Sequence, residues 1–374
     1  MVESSLVIEA VFDAYFDCRK TKRNSVNQLR FEADLESNLV SLYRDLVSGD
    51  YKIGRSIAFV IAHPKIREVW AADFRDRVVH HIIYNAIFDR FYRRFIRDCY
   101  ACIPGRGTHD GMRRVSSFAR SITHNWTRPA YCLKADVANF FNSIDRQTVI
   151  NLAERHVPEQ WLRTLIRQVT LHDPRTDFVM RSPRSLFARV PRHKSLLHAP
   201  DGKGLPIGNL TSQFFANLYM NELDQYVKHG LKAPYYGRYV DDMVLFHEDP
   251  DILNMWYRQM DDFLRSRLGL HLHPNKKHLN YADAGIDFTG FIIKPGRTYL
   301  RQTTVSGCKQ KIRAWEHNGS PVDAASLEKV SHSLNSYLGM LRQVNGYKAR
   351  KSLCQRVESL FLQADGACTK VRPA

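Results

Sequence analysis

Apolar residues recur along this chain with two periods, and the switch from one to the other marks its elements. Near the N-terminus Ile8, Val11, Phe12 and Tyr15 keep a helical stripe. Leu35, Leu39, Leu42 and Leu46 repeat at helical steps up to Ser48-Gly49. Residues 1–50 thus read as helices separable from the main body of the chain, the first closed by the basic run Lys20-Thr-Lys-Arg23. Residues 56–69 read as two strands broken at Pro64, and 73–81 as a helix. Tyr131-Cys-Leu-Lys-Ala-Asp136 is a further strand, after which Asp145 is placed to cap a helix over 146–156.

Phe215, Tyr219, Leu223 and Val227 fall at four-residue steps and give the helix that starts at Phe214 a buried side. A hairpin comes next: Arg238-Tyr-Val240, an acidic two-residue turn Asp241-Asp242, then Met243-Val-Leu-Phe246. Leu253, Trp256, Met260, Phe263 and Leu264 define the next helix, and 268–277 return to the sheet. Strand–helix–strand around the hairpin predicts a ferredoxin-like unit within an α+β fold. The tail from 301, with Ser336–Leu341 and the basic Lys348–Lys351, reads as helical. Between 171 and 203 the pattern lapses into a Pro- and Arg-rich insertion without a core of its own. It is either a loop facing nucleic acid or a disordered charge run.

With 374 residues the chain can bury a full core and suggests two or three lobes. Its 55 Lys and Arg against 38 acidic residues leave a charge of +17. That excess suits a protein lying along a phosphate backbone, and would also serve a solubility surface or a ribosome-associated protein. Seven scattered cysteines, an odd number, point to a reducing compartment. Cys99 and Cys102 lack the second ligand pair that zinc needs and read as buried thiols. No apolar run reaches membrane length and Met-Val-Glu-Ser-Ser is no signal sequence, so a soluble cytoplasmic protein without membrane partners is expected.

Adjacent aspartates inside a β run repel each other and cost desolvation unless a cation neutralises them. Asp241-Asp242 is therefore either a polar surface turn or a ligand pair for Mg²⁺, which takes one or two carboxylates plus substrate phosphates. Asp136, ending another strand, supplies the carboxylate that a two-metal phosphoryl-transfer site needs from a neighbouring strand.

The boxes Asp136-Val-Ala-Asn-Phe140-Phe141 and Tyr239-Val-Asp-Asp242, in this order and spacing, resemble the palm of a reverse transcriptase. The resemblance spans about 40–345 and leaves no room for a ribonuclease H or homing-endonuclease domain. It implies a right-hand polymerase with a helical extension (1–50), fingers (51–125), a ferredoxin-like palm (126–300) and a helical thumb (301–374). Residues 150–213 would form a fingers insertion within the palm. The implied partners are an RNA template, a DNA or RNA primer and dNTPs, and the implied cofactor is a pair of Mg²⁺ ions, with Mn²⁺ as a substitute.

By the same resemblance Asp136 and Asp241 hold both ions, and Asp242 binds more weakly or stands behind them. Phe141 takes the place of the steric gate that excludes a ribose 2′-hydroxyl, unless both phenylalanines are core. Lys65 and Arg67 match the basic fingers hairpin that meets the triphosphate, and a solvated basic turn would look alike. Arg106, in Pro104-Gly-Arg-Gly107, resembles the template-binding bend of group II intron-like enzymes. Phe288 and Gly290 resemble the primer grip. Lys276 matches a lysine that protonates the leaving pyrophosphate, or is a surface lysine.

Most of the family carries Q-G-x-x-x-S-P before the helix at 214. Here Ile207 and Gln213 replace the glutamine and the proline, while Gly208 is kept beside the helix start that would face the nucleotide. This I-G-x-x-x-S-Q form is that of diversity-generating retroelement enzymes, which work with a small basic accessory protein. Some phage-defence enzymes, which copy a noncoding RNA, come close to it. A non-catalytic RNA-binding protein on a dead polymerase fold is the reading from another class, and the intact Asp136, Asp241 and Asp242 argue against it.

Overall fold

The structure, a computed structural model, describes residues 6–20, 25–63, 65–317, 323–357, 360 and 362–374. Pro64 and most of the basic run at 20–23 lie outside them. Three helices open the chain, α1 (Ile8–Arg19), α2 (Val26–Glu32) and α3 (Leu35–Ser48). They precede an antiparallel strand pair, β1 (Ser56–Ile61) and β2 (Arg67–Ala71), and the helix α4 (Phe74–Tyr92).

The opening helices are not separable, because they pack on α4. Tyr15 and Phe31 set their rings 6.3 and 5.3 Å from that of Phe74, and all three side chains are buried. Asn27 donates to Asp73, the N-cap of α4, at 3.0 Å, and Asn85 to Asp17 at 2.8 Å. An amphipathic stripe says which face is buried and not against what, and here the partner is α4. In the first turn of α4 the buried Asp76 accepts from Tyr51 Oη at 2.7 Å and from Gly54 N at 2.9 Å. Burial outweighs these donors and raises its pKa from 3.8 to about 6.

The chain continues through α5 (Thr108–Ile122), β3 (Tyr131–Asp136), α6 (Phe140–Ser143), α7 (Arg146–Glu154) and α8 (Gln160–Leu171). Asp145 caps α7 as expected, accepting from Thr148 N at 2.7 Å. The segment after α8 is built, contrary to the expectation of a coreless loop. β4 (Phe178–Met180) pairs parallel to β1, and after α9 (Arg184–Ala188) Phe187, Val190, Leu196 and Ala199 share one core with Ala58, Val60 and Trp70. Glu68 on β2, 3% exposed, ties the two parts together. It accepts from Trp70 Nε1, from Ser195 Oγ at 2.5 Å and from Leu196 N at 2.9 Å. At the base, the buried Arg146 donates to the Gly204 carbonyl at 2.9 Å and to those of Leu171 and His172 at 3.4 Å, so one guanidinium holds both ends of the insertion.

Next come α10 (Leu210–Gln225), β5 (Tyr236–Tyr239), β6 (Asp242–His247), α11 (Pro250–Phe263) and β7 (His278–Tyr281). The sheet order is β5-β6-β3-β7. Read from β7, these are the fourth, first, third and second of its strands in chain order, the ferredoxin-like arrangement that the sequence predicts. β8 (Ile286–Phe288), β9 (Phe291–Lys294) and β10 (Arg297–Leu300) form an antiparallel sheet. α12 (Gln302–His317), α13 (Ala324–Arg342) and α14 (Tyr347–Val357) complete the helices. The end of the chain is not helical: β11 (Leu362–Ala364) pairs with β12 (Val371–Pro373). Ser331 and Asn335 of α13 donate to the Val371 carbonyl at 3.0 and 2.8 Å.

The chain falls into two compact units, Met1–Ile103 with Ala135–Pro234 and Met255–Lys276, and Pro104–Lys134 with Tyr235–Asn254 and Lys277–Ala374. Among the described residues no helix is long and apolar enough to cross a membrane.

Asp76 makes stability depend on pH with a definite sign. Its folded-state pKa, about 6, lies above the 3.8 of the free carboxyl, so burial disfavours the ionised form. The fold therefore loses up to about 3 kcal/mol as pH rises from about 4 through about 7, because each pH unit between the two values is worth about 1.4 kcal/mol. Asp76→Asn lacks this contribution. Urea unfolding across that range should show the variant gaining on the wild type as pH rises, and a constant difference would exclude Asp76 as the source.

Candidate active site

The acidic hairpin lies in the second unit. Its register pairs Tyr236 with Leu245, Arg238 with Met243 and Tyr239 with Asp242, so the two-residue loop is Val240–Asp241 and Asp242 begins β6. The sequence expectation of an Asp241-Asp242 turn is off by one residue. The cause is Val240, a β-branched residue held at φ +58°, where glycine is usual. Arg238, fully buried beneath the loop, donates from Nη1 to the Val240 carbonyl at 2.7 Å. Met243, Val244, Leu245 and Phe246 are fully buried and anchor the other strand. Asp242 receives Lys134 Nζ of β3 at 3.4 Å.

Asp136 lies in the first unit. Along β3 Leu133 and Ala135 are buried while Lys134 and Asp136 are half-buried, the alternation of a strand with one covered face. The Asp136 carbonyl accepts from His273 N at 2.7 Å, and its Oδ1 receives Lys276 Nζ at 2.7 Å. The lysine expected at the leaving group thus rests on a carboxylate. After Asp136 the chain turns at Asn139, φ +49°, into α6. Phe140 is buried and Phe141 half-buried, with ring centroids 5.3 Å apart. They diverge because they start a helix, not because they alternate along a strand, and only Phe140 is core. The Phe141 carbonyl accepts from Leu205 N at 2.8 Å.

The loop before α10 is tied to β2 in the same unit. Trp70 N donates to the Ile207 carbonyl at 2.7 Å, and Ala72 N to Asn209 Oδ1 at 2.9 Å. Gly208 sits at φ +135°, and a Cβ there would lie 2.8 Å from the Trp70 carbonyl oxygen. Gln213 is exposed and its Oε1 accepts from Cys102 Sγ at 3.2 Å. Cys99 is buried, but Cys102 is exposed at φ +54°, which corrects its reading as a buried thiol. Lys65 lies in the turn that joins β1 to β2 and Arg67 begins β2 beside it, both exposed and without an ion pair to any described residue.

In the second unit Arg106 is half-buried in the bend before α5. The β8–β9 loop is Thr289–Gly290, both at positive φ, and Thr289 Oγ1 donates to the Thr108 carbonyl at 3.0 Å. Phe288, expected at the primer grip, is fully buried beside this tip.

Two residues that touch the acidic hairpin escaped sequence reasoning. Lys134 had a signal, since it stands two residues before Asp136 on the same strand face. Arg238 had another, a charge inside an apolar run. Among the described residues no three His, Cys, Asp or Glu side chains stand close enough to hold a metal ion by themselves. All the acidic donors are hard oxygens, which suit Mg²⁺ when substrate phosphates complete its shell. Asp136 and Asp242 each have an ammonium group beside them.

A family model described as reverse transcriptase (RNA-dependent DNA polymerase) matches residues 63–293. No curated protein matches the sequence. Among solved structures, the fold is similar to telomerase from Candida albicans in complex with a TWJ fragment of telomeric RNA. The TM-score is 0.50 at 11% identity, over 89% of this chain and 59% of that one.

The Gly208 contact has a measurable cost. Gly208→Ala should lose about 1–3 kcal/mol in urea unfolding, through strain and the clash with Trp70. Gly339→Ala, in open space within α13, should gain up to about 1 kcal/mol. Equal effects would mean that the close approach at Gly208 is not enforced.

Proposed function

The chain belongs to the reverse transcriptase family, and on that premise we propose that it extends a primer with deoxynucleotides on an RNA template. The observation that carries the reading is the sheet order: β6 runs beside β3, with Asp242 first in one strand and Asp136 last in the other. The primer 3′-hydroxyl gives up its proton to water as its oxygen attacks the α-phosphorus of a dNTP, a new P–O bond forms, and the bond to pyrophosphate breaks. Two Mg²⁺ ions, when bound, lower the pKa of that hydroxyl and neutralise the leaving group. Asp136 and Asp241 are the residues to hold them, with Asp242 in support. Lys65 and Arg67 bind the triphosphate, and the half-buried Phe141 ring excludes a 2′-hydroxyl. Lys276, once released from Asp136, donates a proton to the leaving pyrophosphate. Arg106 and the Thr289–Gly290 tip steady template and primer.

Asp136→Ala or Asp241→Ala should lower metal-dependent dNTP incorporation on a primed RNA by about a thousandfold, the several kcal/mol that metal-ion stabilisation supplies. RNA binding should persist, because neither carboxylate is needed to contact a phosphate backbone. Unchanged synthesis by either variant would remove the assignment.

Ile207 supports a finer reading, error-prone synthesis in a diversity-generating retroelement. Its side chain carries no donor or acceptor, so the hydrogen bond a glutamine would make to the nucleotide is missing. One such bond contributes about 0.5–1.5 kcal/mol, roughly two- to twelvefold in discrimination. That tips only mispairs already nearly tolerated, those opposite template adenine by family resemblance. Sequencing cDNA from wild type and Ile207→Gln on one template should show errors opposite adenine falling most in the variant. Low, equal error at all four bases in the wild type would leave the antiphage-defence reading instead.

A further inference from the structure

Helix α5 carries a second charged surface that the polymerase reading does not use. Its apolar residues Val115, Phe118 and Ile122 are buried, and the Phe118 ring meets those of Tyr235 and Phe246 at 5.7 and 6.5 Å. At about 100° per residue, Arg113, Ser117 and Arg120 fall on the diametrically opposite side of the helix. They line, with Ser116, Ser121 and Asn125, an open groove of about 440 Å³. The groove therefore faces away from the sheet that carries Asp242.

Its chemistry is one-sided. Arg113 donates to Gln343 Oε1 at 3.4 Å and Arg120 Nε to Asn125 Oδ1 at 3.2 Å, both neutral amides. Among the described residues neither guanidinium has a carboxylate partner, so both positive charges stand uncompensated. Ser116 and Ser117 are the short residues between them, and they leave the floor low and rich in hydroxyls. The far end is shaped by an uncommon turn. His124, Asn125 and Trp126 are consecutive non-glycine residues at φ +47°, +62° and +70°. Thr123 Oγ1 accepts from Trp126 N at 2.8 Å and Asn125 N donates to the Arg120 carbonyl at 2.6 Å, which folds Asn125 back over Arg120. The turn presents an exposed His124 and a half-buried Trp126 beside the groove.

We propose that this groove is an RNA-docking surface that holds a folded part of the RNA outside the copied segment. The two arginines take phosphates bidentately, the serine hydroxyls pair with 2′-hydroxyls, and Trp126 offers a ring on which an unpaired base stacks. The proposal goes beyond the polymerase reading, and its test does not depend on synthesis.

The test is fluorescence anisotropy of the full chain with a labelled hairpin RNA across a salt series, for wild type and Arg113→Gln/Arg120→Gln. The variant should bind on the order of tenfold more weakly, and the slope of log affinity against log salt should fall by about 2, one per lost phosphate contact. The lysine pair Arg113→Lys/Arg120→Lys should keep the slope, and Ser117→Glu should weaken binding. Extension of a short primed RNA that occupies only the polymerase site should be unchanged in all of them. An unchanged slope in the glutamine variant would overturn the proposal. So would an equal loss with duplex DNA of the same length, which would mean a surface for any polyanion, or displacement of the RNA by a polyglutamate peptide at equal charge concentration, which would mean an acidic protein partner. A wild type that binds the hairpin as described but makes no DNA would leave the groove standing and remove the polymerase reading.

Discussion

A carboxylate at the end of a half-buried strand must either stay wet or meet a positive charge. The strand-end aspartates of β3 and β6 each meet a lysine. Lys276 reaches Asp136 from a turn that is itself fixed to β3 by the backbone bonds His273 N to Asp136 O and Ala138 N to His271 O, 2.7 and 3.0 Å. Lys134 reaches Asp242 from the neighbouring strand. The segment after α11 is fixed by those backbone bonds and the hairpin by the sheet, and the pairings balance the charge of each strand end. Neither pair is strong. Lys276 is 48% exposed, and ion pairs of that kind contribute about 0–1 kcal/mol. A lysine held so lightly can be displaced from its carboxylate by a more strongly bound cation.

Much of this was legible because the signals were periodic or chemical. The sheet order comes from strands that read as strands, and Asp145 announced its helix by residue type and place. The identity of packing partners was not carried by the sequence. The stripe of Val11 and Tyr15 showed a buried face but not that α4 covers it. The Pro- and Arg-rich stretch hid Phe187, Val190 and Leu196 among charges, too sparse for a period, and their core is completed by Trp70 far upstream. The hairpin loop slipped by one residue because Val240 is a poor candidate for a left-handed turn on propensity, and tertiary context overrides it. Phe288 matched a motif by type, but which side of a strand faces the core depends on a sheet the sequence does not show.

That Val240 is not alone bears on how the site is held. Cys102, Asn139 and Thr289, each in one of the other motif loops, also take left-handed backbone without being glycine. Such residues cost about 1–3 kcal/mol each and persist only where neighbours over-determine them. Each has such a neighbour: Gln213 for Cys102, the start of α6 for Asn139, Arg238 for Val240 and the Thr108 carbonyl for Thr289. Glycine would relieve the strain and loosen the loop, and the side chains that remain keep each loop in a single shape.

Arg146 is a single side chain that makes two remote stretches of chain neighbours, since the carbonyls it binds belong to residues on either side of the insertion. Once the ends are fixed, the turns between the packed pieces can change length at little cost, for each doubling of a flexible loop costs only about 0.6 kcal/mol. The exposed turns of the insertion could therefore lengthen or shorten while the core of Phe187, Val190 and Leu196 and the bonds to Glu68 hold, and α7, α8 and the loop leading to Ile207 stay where they are. One guanidinium is then the fixed point that keeps such changes from reaching the rest of the unit.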